Sequence, residues 1–358
     1  MTWSGVGRVD FATGLRLPSE NLLTRLALVF ALVLALASCG GDDDAAGTTT
    51  AAKSDIRVAL VTDVGQLNDR GFNQLAYEGL KRAGRELGIG TRVVESASAA
   101  DYVPNYAALA RQRFDLIIGV GFAQGDAIDT AATQFPETKF AIVDVDQSGL
   151  KRKPRNLVGL LFKEQEAGYL VGYLAGLTQK REPGRDVIGS VGGFKEPPVD
   201  RFIAGYQAGA REALPRVATL NGYSSNWDDQ AKCKEIALSQ IARGAGIVFQ
   251  VAGECGLGAL TAAKERKVWG IGVDADQSFL GPFVLTSALK RVDAAVVQTI
   301  ESVVEDRWQG GRNLTFGLEQ DGVGLGKISP KVPQEDLDAL EQVKERIRSG
   351  EITVPTEL

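Results

Sequence analysis

Ten short runs rich in Val, Ile and Leu recur between Arg57 and Thr286, and stretches of helical period separate most of them. Near-continuous apolar runs alternating with helices mark parallel sheets buried on both faces, because each parallel pair needs a crossover and the crossovers cover the sheet. Five runs come first: Arg57–Thr62, Thr91–Glu95, Leu116–Gly119, Lys139–Val143 and Val158–Phe162. Five follow: Val187–Val191, Val217–Leu220, Ile247–Val251, Val268–Val273 and Val284–Thr286. Helical spacing marks Phe72–Leu87, Glu164–Gln179, Val199–Leu214, Gln230–Arg243, Val292–Trp308 and Gln334–Arg348. The expected fold is α/β, with two doubly wound parallel-sheet lobes joined by a hinge. Lobe 1 is expected at 55–162 and 285–312, lobe 2 at 163–284 and 313–358. Chain crossings fall near Phe162 and Thr286, and Leu314–Leu325 reads as a hairpin. Roughly 300 residues suffice for two cores.

Ligands of open α/β sheets bind outside the carboxyl ends of the strands, so the residues after each run are the informative ones. The first run leads into Thr62-Asp63-Val64-Gly65-Gln66-Leu67-Asn68-Asp69-Arg70-Gly71-Phe72-Asn73-Gln74, in which Asp69 can cap the coming helix. The fourth ends in Val143-Asp144-Val145-Asp146, the eighth in Ala252-Gly253-Glu254-Cys255, the ninth in Val273-Asp274-Ala275-Asp276 and the tenth in Leu289-Lys290-Arg291. Any one acid here can be a helix cap. Several together, beside aromatics and one Lys, point to a site for a polyol fused to a flat ring.

The sequence has no histidine. That removes Ser-His-Asp and Cys-His triads and the commonest metal ligand. Gly326-Lys327 has no Gly five positions earlier and precedes Ile328, so it is not a phosphate loop. No catalytic residue, metal or cofactor is expected. The net charge is −5, and −6 without residues 1–38, which argues against nucleic acid. The one basic run, Lys151-Arg152-Lys153-Pro154-Arg155, reads as a solvated loop.

Cys39 closes Leu36-Ala37-Ser38-Cys39, after an apolar run from Leu26 to Ala37 and before a polar stretch rich in Gly, Asp and Thr. The apolar run is shorter than the ~20 residues that span a bilayer. This resembles a bacterial lipoprotein signal, with a removed peptide at 1–38, lipidation at Cys39 and a tether at 39–54. The alternative is a short uncleaved anchor. The soluble part would lie outside the cytoplasm, held to the cell membrane by lipid.

Thr62-Asp63-x-Gly65…Asn68-Asp69-x-x-Phe72-Asn73-Gln74 resembles the signature of the basic membrane protein family of bacterial lipoproteins. Phe249-Gln250-Val251-Ala252-Gly253, Gly272-Val273-Asp274-x-Asp276-Gln277 and Thr286-Ser287-x-x-Lys290-Arg291 match further blocks, and the resemblance runs from about Arg57 to Pro355. It implies a type I periplasmic-binding fold and a purine nucleoside receptor serving an ABC importer and its permease, here as a monomer. Carried over, it places the purine between Phe72 and Phe202, with Asp144 reading the base edge and Asn73 nearby. Asp274 and Lys290 would hold the ribose, Gly253 would give close backbone approach, and Asp63 and Asn68 belong to the first binding loop. Gly71 stands where relatives often have Ser, Lys195-Glu196-Pro197-Pro198 forms a polar, stiff loop before Phe202, and the Asp274-to-Lys290 spacing is short. These departures bear on base selectivity and ribose contacts more than on the fold. The other readings are a receptor of the same fold for a sugar or signalling molecule, serving a sensor, and a nucleoside hydrolase, which the missing histidine disfavours.

Cys233 and Cys255 are the cysteines left after Cys39. One lies early in a helix after the seventh run, the other just after the eighth, both at the carboxyl end of the second sheet. Export favours disulfides, so a bridge is expected; the alternative is two buried free thiols.

Overall fold

The computed structural model describes residues 55–182 and 186–358. The peptide at 1–38, Cys39 and the tether at 39–54 lie outside the described residues. In chain order the strands are β1 (Arg57–Val64), β2 (Gly90–Ser96), β3 (Leu116–Val120), β4 (Lys139–Val143), β5 (Leu157–Phe162), β6 (Val187–Gly192), β7 (Ala218–Tyr223), β8 (Ile247–Val251), β9 (Trp269–Asp274), β10 (Val284–Lys290), β11 (Arg312–Phe316) and β12 (Val323–Leu325). The helices are α1 (Phe72–Leu87), α2 (Tyr102–Arg111), α3 (Gly125–Gln134), α4 (Glu164–Lys180), α5 (Pro197–Ala213), α6 (Gln230–Ala242), α7 (Gly256–Arg266), α8 (Val292–Val304) and α9 (Gln334–Arg348). The periodicity located all ten main strands and six of these helices. It passed over α2, α3 and α7, which are short and carry many Ala or Gly residues, so their apolar stripe is weak.

The two sheets share one topology. The first runs β11-β5-β4-β3-β1-β2 and the second β12-β10-β9-β8-β6-β7. Central strands such as β3 and β8 are buried along their whole length, whereas the edge strands β2 and β7 are largely open. Period-two alternation splits β1 between two cores. Val58 and Leu60 face the layer of α1 and α8, and Ala59 and Val61 face that of α2 and α3. In each sheet the strand order reverses beside the first strand, between β1 and β3 and between β6 and β8. That crevice is where such folds take ligands.

Three crossings join the lobes: the first follows Phe162, and the other two differ from the expected positions. β10 pairs with β9, so 284–290 belongs to the second sheet, although 285–312 was assigned to the first lobe. The chain returns only after Lys290, and α8 then packs on α1 of the first lobe. β11 pairs with β5 in the first sheet and β12 with β10 in the second, so 312–325 is no hairpin but the third crossing. An apolar β-pattern cannot reveal which sheet accepts a strand. The crossings brace one another: the Lys163 amide donates to the Phe316 carbonyl (2.9 Å), the Arg291 amide to the Gly322 carbonyl (2.8 Å), and the Leu318 amide to the Glu166 carboxylate (2.7 Å).

Helices α4 and α5 pack backbone to backbone. Gly168 and Gly172 of α4 and Gly205 and Gly209 of α5 recur four apart, forming one ridge on each helix. A Cβ at Gly172 would lie 2.0 Å from the Tyr206 carbonyl oxygen, and one at Gly209 2.1 Å from that of Tyr169. This contact fixes α5, which carries Phe202. Gly172→Val is therefore expected to cost about 1–3 kcal/mol or more through overpacking, read as a lower urea midpoint, and to weaken ligand binding with it.

Candidate ligand site in the cleft

The loops after the strands of both sheets converge on one cavity. The first lobe contributes Asp63 and Val64 from β1, Phe72 and Asn73 from α1, Gly121 and Phe122 after β3, and Asp144 after β4. The second contributes Glu196 and Phe202 around α5, Trp227, Gly253, Asp274 and Lys290. Eight of the nine expected ligand-contacting residues are thus together. The ninth, Asn68, faces a neighbouring surface depression with Arg70, Gln230 and Glu254.

The loop geometry follows from residue type. Asp144, just after β4, and Asp274, the last residue of β9, adopt left-handed conformations with φ of 72° and 63°. Asp tolerates this region better than most residues, and it turns the chain sharply at the strand ends. Gly121 (φ 114°) is needed for a second reason, since a Cβ there would lie 2.2 Å from the Asp63 carboxylate. Asp69 does cap α1, from two residues before the N-cap position Gly71. Its carboxylate accepts from the amides of Gly71 (2.9 Å), Asn73 (2.8 Å) and Gln74 (3.1 Å). Asp69 is consequently occupied, and Phe72 and Asn73 are held at the start of α1.

The polar groups fall into two clusters. In the first, the Tyr102 hydroxyl donates to Asp63 Oδ1, the Asp63 amide donates to Asn73 Oδ1 (3.3 Å), and the Val64 amide donates to Asp63 Oδ1 (2.7 Å). Burial raises the Asp63 carboxyl above its ordinary value, against the pull of Tyr102 and Val64. The second cluster is a buried ion network. Lys290 Nζ lies 2.6 and 2.7 Å from the two oxygens of Asp144 and 2.9 Å from Glu164 Oε1. Arg201 Nε donates to Glu164 Oε2 (2.6 Å). The Lys290 ammonium also stands over the rings of Phe72 (5.1 Å) and Phe162 (5.0 Å). Asp144, expected at the base edge near Asn73, therefore spends its contacts on Lys290, and Asp63 is the acid beside Asn73. Glu164 and Arg201 gave no sequence signal, because their roles depend on how α4 and α5 meet.

Burial raises Asp144 to about 6, with Lys290 opposing, and Asp274 to about 7. Lys290 is pulled down by burial, but Asp144, Glu164 and Asp274 outweigh that and raise it. The Asp274 carboxyl makes no hydrogen bond to any described residue, although Asp274 is only 8% exposed. Phe202 is held edge-on by Phe249, with centroids 6.2 Å apart. Trp227, Phe122 and Glu196 line the cavity as well, and none of them was among the expected ligand-contacting residues. Each stands in a loop after a strand, so position was the available signal.

Beside this cavity, the second lobe carries the disulfide Cys233–Cys255, with Cα atoms 5.6 Å apart. It ties α6 to the loop containing Gly253, and both cysteines are fully buried. Among the described residues no cluster of side chains could hold a metal ion, and no helix is long and apolar enough to cross a membrane.

Two like-wound sheets facing each other across a ligand cleft define a solute-binding protein of the type I periplasmic kind. A solute-binding protein of an ABC transporter system from Aeropyrum pernix is similar in structure, with a TM-score of 0.76 at 28% identity over 84% of this chain and 94% of that one. The family model described as ABC transporter substrate-binding protein PnrA-like matches residues 56–357. The ABC transporter nucleoside-binding protein BmpA of Lactococcus lactis is 35% identical over 359 residues, spanning 94% of this chain and 99% of that one. A lipoprotein of Pyrococcus abyssi is 32% identical, spanning 91% and 89%. The chain belongs to the family of PnrA-like ABC transporter substrate-binding proteins. It is a solute receptor rather than an enzyme, and its role implies a ligand and a permease partner.

Proposed function

We propose that the protein binds a purine nucleoside one-to-one in the cleft and delivers it to an ABC permease, held at the membrane as a monomer by lipid on Cys39. The observation that carries this reading is the combination of ring walls at Phe72 and Phe202 with a buried carboxyl, Asp274, that accepts no hydrogen bond from any described residue. A ligand that fills such a site has a flat face and several donors. A base stacked on these rings gains ~1–3 kcal/mol per stacking contact, and each hydrogen bond to a carboxylate adds ~1.5–3 kcal/mol. Together with a ribose clamp these reach the roughly −8 kcal/mol of micromolar binding.

In this arrangement Asp63 and Asn73 meet the base edge and Asp274 takes ribose hydroxyls. Lys290 adds a donor at the ribose end while Asp144 holds its ammonium in place, and Gly253 lets the backbone approach. Asn68 lies at the margin. A phosphate is poorly served, since Lys290 is held by Asp144 and Glu164, and Arg201 by Glu164 as well.

Calorimetry on the purified domain tests the reading with adenosine, guanosine, inosine, cytidine, free purine bases, adenosine monophosphate and D-ribose. Purine nucleosides are expected to bind at micromolar concentration or better, and the monophosphate far more weakly. Asp274→Ala is expected to weaken nucleosides about tenfold or more, the equivalent of one hydrogen bond to a charged group, and to leave free bases nearly unchanged. A free base losing as much as its nucleoside would displace Asp274 from the ribose. Tight binding of a sugar with no heat from any nucleoside would overturn the whole reading.

A further inference from the structure

We infer that Glu196 reads the exocyclic edge of the base and makes the site select a purine bearing an amino group over one without. This rests on the nucleoside reading above and deepens it by naming a specificity residue.

Glu196 is the N-cap of α5, with an extended backbone (φ −126°, ψ 153°), yet its side chain makes no capping bond. The reason is local. Pro197 and Pro198 fill the first two helical positions and have no N–H to offer. Pro198 removes one of the two amides that an N-cap side chain can accept from, and Glu is not among the residues that usually cap, so the carboxylate does not fold back onto the helix; the two rings fix the direction in which the chain enters α5. Glu196 instead lines the cavity.

No described residue gives its carboxylate a hydrogen bond or an ion pair. Neighbouring Lys195 is committed to Asp200 at 2.6 Å. Asp63 and Asp144 of the first lobe and Lys290 of the second act on the charge of Glu196, and Tyr102 feels it from the first lobe. The one cation among them, Lys290, is already held by Asp144 and Glu164. Glu196 is thus an acceptor at the Asp63 end of the cleft, and its donor has to come from the ligand. The base edge of adenosine or guanosine carries an amino group, which donates; inosine lacks it and offers only its ring N1–H beside a carbonyl oxygen, which two neighbouring carboxylates repel.

Burial first, then Asp63 and Asp144, raise the Glu196 carboxyl to about 7, against Lys290. Above that value Glu196 only accepts. Below it the carboxylic acid can also donate to a carbonyl, and protonation of Asp63 and Asp144 acts in the same direction. Selectivity should accordingly be greatest near pH 8 and shrink toward pH 5.5.

The test is the ratio of dissociation constants, inosine against the tighter of adenosine and guanosine, measured by calorimetry. The wild type is expected to favour the amino-bearing nucleoside about tenfold at pH 8, the size of one hydrogen bond to a charged group, and less at pH 5.5. Glu196→Gln, which can both donate and accept, should bring the ratio near unity. Glu196→Ala should weaken the amino-bearing nucleoside and leave inosine nearly unchanged. A ratio that neither substitution alters, or a wild-type ratio independent of pH, overturns the assignment while leaving the nucleoside reading intact. Absence of binding by every purine nucleoside overturns both.

Discussion

Lys290→Ala is expected to lower the stability of the domain by about 3–5 kcal/mol, the usual consequence of removing one partner from a buried ion pair. Lys290 is 2% exposed and Asp144 6%, and Glu164 is fully buried. Without the ammonium, two carboxylates are left in a dry environment, and only Glu164 keeps a cation, Arg201 at 2.6 Å. The rings of Phe72 and Phe162 lose a cation–π contact of ~0.5–2 kcal/mol as well. The loss should be largest above pH 7 and shrink toward pH 5, because protonation discharges the stranded acids. Urea denaturation at the two pH values measures this. In a double-mutant cycle, Lys290→Met with Asp144→Asn should recover part of the loss of Lys290→Met alone, since the two side chains are in contact. A loss below about 1 kcal/mol, constant with pH, would show that the network contributes little. Lys290 is consequently a poor probe of ribose recognition: its removal disturbs the chain at the second crossing, where β10 leaves the second sheet. Asp274 is the cleaner probe.

Cys233→Ala with Cys255→Ala is expected to cost about 3 kcal/mol, the chain-entropy value for a loop of this length; the two cysteines are 22 positions apart. The denatured, unreduced wild-type domain should show no free thiol in this pair, and two free thiols would rule the bridge out. The effect should extend to binding. The Cys255 amide donates to the Trp227 carbonyl (2.8 Å), and Gly253 lies in the same loop, so loosening Cys255 loosens two residues of the cavity wall. A double variant that lost stability but bound as tightly as the wild type would separate the staple from the site.

The state of the cleft acids links these properties to pH. Asp144, Glu196 and Asp274 all hold their protons more tightly than free carboxyls do. Each contributes stability that is fully present below pH ~4 and lost as pH rises through about 6 to 7. Without ligand the site is thus destabilised at neutral pH by the charges of Asp274 and Glu196, which have no hydrogen-bond partner among the described residues, and a donor-rich ligand relieves that. Functional sites often carry such unfavourable groups.

Residue order alone determined much of this. The Val- and Ile-rich runs could be buried only in parallel sheets, and that placed the informative residues after the strands. Asp63, Phe72, Asp144, Asp274 and Lys290 were legible there because a strand-end position is local in the chain. The pairing of Cys233 with Cys255 was legible for the same reason. The assignment of β10 and β11 to their sheets was not, because an apolar strand pairs equally well with either edge until the tertiary structure chooses. Nor was the union of Lys290, Asp144, Glu164 and Arg201, which come from two lobes and meet only when the crossings close. The glycines of α4 and α5 stood four apart in plain view, but only the packed helices show that they face one another. Sequence periodicity reports which side of an element is buried, whereas only the fold decides against what.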